Sequence, residues 1–173
     1  RFSAQHSGVA FEYTVEPEYR DVSRGDVDVA VRVSNRGEPS LIYKKVAEIA
    51  YGVFASHAYA QSLPAHPKPE DVAYIGLLPP LANEPHMKAA RAAGFAPARL
   101  RLSSFDAQIE AVRAGLGAAV LPLVVAQDCV NLFPQLALPK IEVFVVSRPQ
   151  ALKQPHLRAF VSALYAGLEE AAL

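Results

Sequence analysis

The sequence predicts an α/β protein with much parallel strand pairing, and three observations carry that expectation. Strand-like and helix-like segments alternate along the chain. Arg24-Gly25-Asp26-Val27-Asp28-Val29-Ala30-Val31-Arg32 sets a charged turn before an apolar run, and residues 110–122 run a helical pattern through Gly115 and Gly117 into a short apolar strand and Pro122. Both stretches read as turns at strand edges. Open α/β sheets hold small ligands at such strand ends, so the first expectation is a ligand-binding module.

The elements follow in order. Residues 9–15 are rich in strand formers, and 18–24 read as a brief helix closed by Gly25. Residues 27–33 form an apolar strand interrupted by Asp28, and 34–40 a loop marked by Asn35, Gly37 and Pro39. Residues 41–55 read as two consecutive strands. Ser56 caps a short helix that Pro64, Pro67 and Pro69 end, and Pro69-Glu70-Asp71-Val72 opens a turn before a strand at 74–78. Asn83 is placed to cap a helix through Ala93, with Pro85 in its first turn and Gly94 beyond its end. After a strand at 98–102, Ser103 and Asp106 have capping-box spacing, and Phe105, Ile109, Val112 and Leu116 line one face of a helix that Gly115 stops. Residues 118–121 form a buried strand, 122–127 a helical turn, 130–133 a minor strand and 141–147 a strong one. From Pro155, an apolar stripe of Leu157, Phe160, Val161, Leu164 and Leu168 marks the last helix.

Composition bounds the function. Hydrophobic residues at 51% against charged residues at 20% favour a packed core over disorder, and 173 residues suffice for one domain or two small lobes. Seventeen basic residues balance seventeen acidic ones without a Lys/Arg stripe, so this segment is not expected to bind nucleic acid itself. The longest apolar run, 116–126, contains Gly117 and Pro122 and falls short of the about 20 residues a membrane span needs. With Cys129 as the one cysteine there is no internal disulfide, which fits a reducing, cytoplasmic compartment. Arg1-Phe2-Ser3-Ala4-Gln5 reads as the tail of a helix belonging to something longer.

Catalytic and cofactor motifs fail one by one. His6, His57, His66, His86 and His156 show no H-x-H or H-E-x-x-H spacing, so neither a metal nor another cofactor is expected. Gly115-Leu116-Gly117 ends a helix and opens a strand, the reverse of a dinucleotide fingerprint, so it reads as a C-cap and a tight turn with no room for Cβ. No G-x-S-x-G elbow is present, Cys129 reads as a small buried hydrophobe, and Asp26 and Asp28 make no acid/base pair, so no enzyme is expected. Ser103-Ser104-Phe105 has two readings: a plain helix cap, or hydroxyl and N–H groups that take an anionic or polar ligand at a helix N-terminus. Arg32 reads as a cleft cation or a solvated loop residue.

Taken in order, the 24–32 stretch, Ser56-His57-Ala58-Tyr59, Pro69-Glu70-Asp71-Val72 and residues 111–122 resemble the effector-binding domain of LysR-type transcriptional regulators across nearly the whole chain. The resemblance implies two α/β lobes of the type 2 periplasmic-binding-protein kind, with mostly parallel sheets and hinge strands near 49–54 and 141–147. Residues 1–50 and 140–173 would make lobe one and 53–138 lobe two, with a small-molecule effector between them. It implies effector contacts at Arg32, Val33, Ser103, Ser104, Phe105, Leu121 and Pro122, a set that suits an organic acid. It also implies a homodimer or homotetramer in the intact protein, DNA binding through a winged helix-turn-helix outside this chain, and a shortened first lobe. An extracytoplasmic solute-binding protein of the same fold is the alternative.

Overall fold

A computed structural model describes residues 2–15, 20–33 and 37–171. In chain order the elements are α1 (Phe2–Gln5), β1 (Val29–Arg32), β2 (Ile42–Ile49), β3 (Tyr51–Ala55), α2 (His57–Gln61), β4 (Ile75–Leu77), α3 (Pro85–Ala92), β5 (Leu100–Leu102), α4 (Phe105–Arg113), β6 (Ala118–Pro122), β7 (Val130–Asn131), β8 (Ile141–Ser147) and α5 (Pro155–Ala171). They divide into unit 1, Arg1–Glu48 with Ile141–Leu173, and unit 2, Ile49–Lys140.

Unit 1 is built on a three-stranded sheet in the order β1-β8-β2. The central strand β8 reads Ile-Glu-Val-Phe-Val-Val-Ser and is buried at every position but Glu142, as a β-branched run covered on both faces should be. Val22, Leu41, Phe144 and Val146 form a core cluster in this unit.

In unit 2, β3 lies between β6 and β7 and runs antiparallel to both. The two-residue periodicity of strands splits these sequences between two apolar clusters. Val53, Ala55, Ala118 and Val120 join Met87 and Ala90 of α3, while Phe54, Ala119 and Leu121 join Ala111 and Val112 of α4. Covering both faces explains why 118–121 is uniformly apolar.

The fold is α/β, but its sheets are mixed rather than mostly parallel. β1 runs antiparallel to β8, and parallel pairing is confined, among the described ladders with a stated direction, to β4 with β5 and the bridge Tyr74↔Ala118. Strand direction depends on which segments meet in space, and hydrophobic periodicity carries no such information.

Local expectations also need correction. Residues 9–15 form no strand: they have no ladder partner among the described residues, and Tyr13 is 87% exposed. Of the brief helix expected at 18–24, Glu18 and Tyr19 lie outside the described residues; the remainder is a turn closed by Gly25 N–H to Val22 O, with Asp21 Oδ1 accepting from the Ser23 and Arg24 amides. Ser34, Asn35 and Arg36 of the expected loop also lie outside the described residues. Asn83 does not cap α3; it ends a 3-10 turn, and Glu84 holds the extended N-cap position because the residue before a first-turn proline avoids the helical region.

Candidate functional site

The bridge between Tyr74 and Ala118 is parallel, as is the ladder between β4 and β5, so β5, β4 and β6 point the same way. Their carboxyl ends are Leu102, Leu77 and Pro122. The carboxyl edge of parallel strands is where α/β folds place ligands. One hydrogen bond beyond the ladder, Leu78 N–H to Leu102 O at 2.8 Å, extends this edge.

Two residues after β5 the chain turns into α4. Ser104 is the N-cap, with extended backbone and a side-chain oxygen that accepts from the Ala107 amide at 3.3 Å. The capping box expected on Ser103 and Asp106 therefore does not form: the cap falls one residue later, on Ser104, whose N3 residue is Ala107 and has no side-chain oxygen to return the bond. Ser103 is exposed and Phe105 half-buried against the first apolar cluster.

The helix closes as the glycines predict. The Gly115 amide donates to Val112 O and the Leu116 amide to Ala111 O, the paired bonds of a Schellman motif, with Gly115 at φ +76. That reversal carries Leu116 off the apolar face, so it is 58% exposed instead of buried.

Sequence reasoning missed two buried polar residues here. Gln108, fully buried on α4, donates through Nε2 to Ile75 O at 2.9 Å and so ties the helix to β4. Its sequence signal was a polar residue between Phe105 and Val112 on an apolar stripe. His86, on α3, is 1% exposed and stacks on Tyr51 at 3.8 Å between centroids. Neither imidazole nitrogen has a partner among the described residues, and burial pushes its pKa down to about 4. Burial, with a smaller contribution from the Glu84 charge, pushes the Tyr51 phenol up to about 12. Tyr51 pairs with Pro122, so the stack lies at the same strand edge.

Of the expected contacts, Ser103, Ser104, Phe105, Leu121 and Pro122 meet at this edge of unit 2. Leu121 is completely buried in the second cluster, so its side chain packs the core. Arg32 and Val33 belong to unit 1. Val33 is 48% exposed. Arg32 is no solvated loop residue: it is 7% exposed and donates to Arg20 O at 2.9 Å and to Glu38 Oε1 and Tyr43 Oη at 3.4 Å each. These bonds make it a structural cation first. Arg32→Met should lower unfolding stability by about 2 kcal/mol in urea denaturation, less than for a fully buried pair because Glu38 stays partly solvated. An unchanged midpoint would mean that these bonds contribute nothing.

Among the described residues no group of three or more His, Cys, Asp or Glu is placed to hold a metal, and no helix is long and apolar enough to cross a membrane.

Comparison with known proteins agrees with this geometry. The chain superposes on the regulatory domain of CrgA, a LysR-type transcriptional regulator from Neisseria meningitidis, with TM-score 0.81 and 14% identity over 96% of this chain and 88% of that one. The effector domain of AmpR of Pseudomonas aeruginosa gives TM-score 0.72 and 18% identity over 99% and 86%. Full-length AphB, the virulence activator of Vibrio cholerae, gives 0.74 and 16% over 99% of this chain but 61% of that protein. No curated protein matches by sequence. These likenesses establish the fold. The sequence profile of the LysR substrate binding domain matches residues 1–169, and with nearly the whole sequence covered, the chain belongs to that family, a family of regulator domains and not of enzymes.

Proposed function

We propose that this chain is the effector-sensing part of a cytoplasmic LysR-type transcriptional regulator and that its effector is a small organic acid. The observation that carries the reading is the carboxyl edge of β5, β4 and β6 ending on the capped N-terminus of α4. First-turn amides and the helix dipole favour an anion there. Ser103, Ser104, Phe105 and Pro122 are the contacts proposed in unit 2, and Arg32 and Val33 those in unit 1. The proposed lobes are 1–50 with 140–173 and 53–138, a reading that the division into units 1–48 with 141–173 and 49–140 supports. Family membership favours this reading over a solute-binding protein.

The effector would act by binding one arrangement of the regulator better than another, which shifts their populations. DNA contact would come from a helix-turn-helix in the intact protein, working as a homodimer or homotetramer.

Thermal unfolding tests the proposal. A ligand that binds only the folded state raises the midpoint, so one or more acids in a panel of benzoate, succinate, citrate and acetate should raise it saturably. Ser104→Ala should cost about 1 kcal/mol without ligand, from the lost cap, and should also shrink the ligand-induced rise. If no acid moves the midpoint, the anionic effector class is wrong. If Ser104→Ala loses stability but keeps the full ligand response, Ser104 is only a cap.

A further inference from the structure

Unit 1 carries a polar cavity at the end of its sheet opposite Arg32. The register sets Val29 against Ser147 and Arg32 against Phe144. Arg148, which follows Ser147, therefore lies beyond the start of β1, level with Asp28 and roughly 13 Å along the strand from Arg32 at about 3.3 Å per residue. A cavity of about 390 Å³ opens there, lined by Ser23, Pro39, Ser40, Arg148, Pro149 and Gln150.

The Arg148 guanidinium is held from two sides. Nη2 donates to Asp28 Oδ1 at 3.2 Å. Nη1 lies against Gly25, where a Cβ would come within 2.5 Å of it. Gly25 has φ +91, so glycine here serves both the left-handed turn and the close approach of the cation. The Nε–H is buried and has no acceptor among the described residues. Leaving a buried donor of a charged group unpaired is costly, and Asp28, 58% exposed, leaves it unsatisfied.

We propose that this cavity binds a small oxyanion, a carboxylate or phosphate group, on the Arg148 guanidinium. The planar fork of N–H donors matches two oxygens at once. Ser40 and Gln150 supply neutral donors on the lining, whereas the Ser23 hydroxyl hydrogen goes to Asp21. Asp28 is the internal competitor for the same donors. The site is built from unit 1 residues alone, whereas Ser103, Ser104 and Pro122 belong to unit 2, and its occupancy is independent of the effector reading.

The test is an NMR titration of the 173-residue chain with sodium phosphate and, separately, sodium succinate, each at constant ionic strength set with sodium chloride. The Arg148 Nε–H and the Ser40 and Gln150 amide signals should shift saturably with one or both anions. Arg148→Lys, which keeps the charge but loses the fork, should weaken binding about tenfold, and Gly25→Ala should weaken it by displacing the guanidinium. Asp28→Asn should strengthen binding about threefold by removing the competing carboxylate, a gain that a purely structural ion pair does not predict. Shifts that grow linearly and equal those of chloride would overturn the proposal. So would wild-type affinity in Arg148→Lys, or no gain in Asp28→Asn. Saturation with phosphate alone or succinate alone identifies the source of the oxyanion.

Discussion

Gly117→Ala should lower the unfolding free energy by roughly 3 kcal/mol or more, the combined effect of a backbone that L-residues avoid and a steric collision. Gly117 has φ +152, and a Cβ there would sit 2.1 Å from Ala73 O and 3.2 Å from Ile75 Cγ1. Ala73 O is also the acceptor for the Ala118 amide at 3.0 Å, at the Tyr74↔Ala118 bridge that joins β4 to β6. Relieving the collision means opening that bridge, which aligns the amino ends of the two strands whose carboxyl ends form the candidate site. For a chain of this size the loss corresponds to a midpoint roughly 6–12 °C lower.

Gly115→Ala is the internal comparison. Its φ is +76, but the nearest atom to an added Cβ is Ser56 Oγ at 3.5 Å, so only the left-handed backbone penalty of about 1 kcal/mol applies. Calorimetry or urea denaturation of both variants separates the two causes. Equal losses would show that the approach of Ala73 O is not what requires glycine at 117.

Stability should also fall steeply in mild acid because of His86. Its ordinary pKa of 6.5 is lowered to about 4 by burial in the folded chain. Between those values the unfolded chain binds a proton that the native chain refuses. The contribution is thus fully present above about pH 6.5, is lost progressively as pH falls toward 4, and amounts to roughly 3 kcal/mol. His86→Phe keeps a ring to stack on Tyr51 and removes the proton site, so its stability should be flatter across that window in urea denaturation. An unchanged acid limb in the variant would assign it to other groups. At the alkaline end the sign reverses in form: Tyr51, raised to about 12, loses its contribution as pH rises above 10.

Much of the unit 2 edge was legible in the chain. The Gly115 stop, the serine cap and the buried strand 118–121 are local devices, each readable within a few residues because caps, left-handed turns and strand periodicity are local chemistry. The choice of Ser104 over Ser103 was not, since either serine can cap a helix, the spacing to Asp106 favours Ser103, and only the end of β5 moves the cap to Ser104. Nor was the fate of Leu116, whose spacing puts it on the apolar face until Gly115 turns the chain away.

The residues read as ligand contacts divided along the same line. Leu121 fits an edge position by sequence, yet its side chain is wholly enclosed by Phe54, Ala111, Val112 and other members of the second cluster. Arg32 has the same local context whether it faces solvent or not, and it is Arg20, Glu38 and Tyr43 that close around its guanidinium. Gln108 and His86 gain their significance wholly from burial against Ile75 and Tyr51.

By itself, then, the sequence determined the alternation of elements, the helix stops and the family, because these are carried by periodicity and by short motifs in order. Only the tertiary structure decided which strands run antiparallel, which polar groups are sealed from water and where Arg148 meets Gly25. Those outcomes depend on contacts between residues far apart in the chain, as with Gly25 and Arg148 or Ile75 and Gln108, and no local pattern encodes the partner.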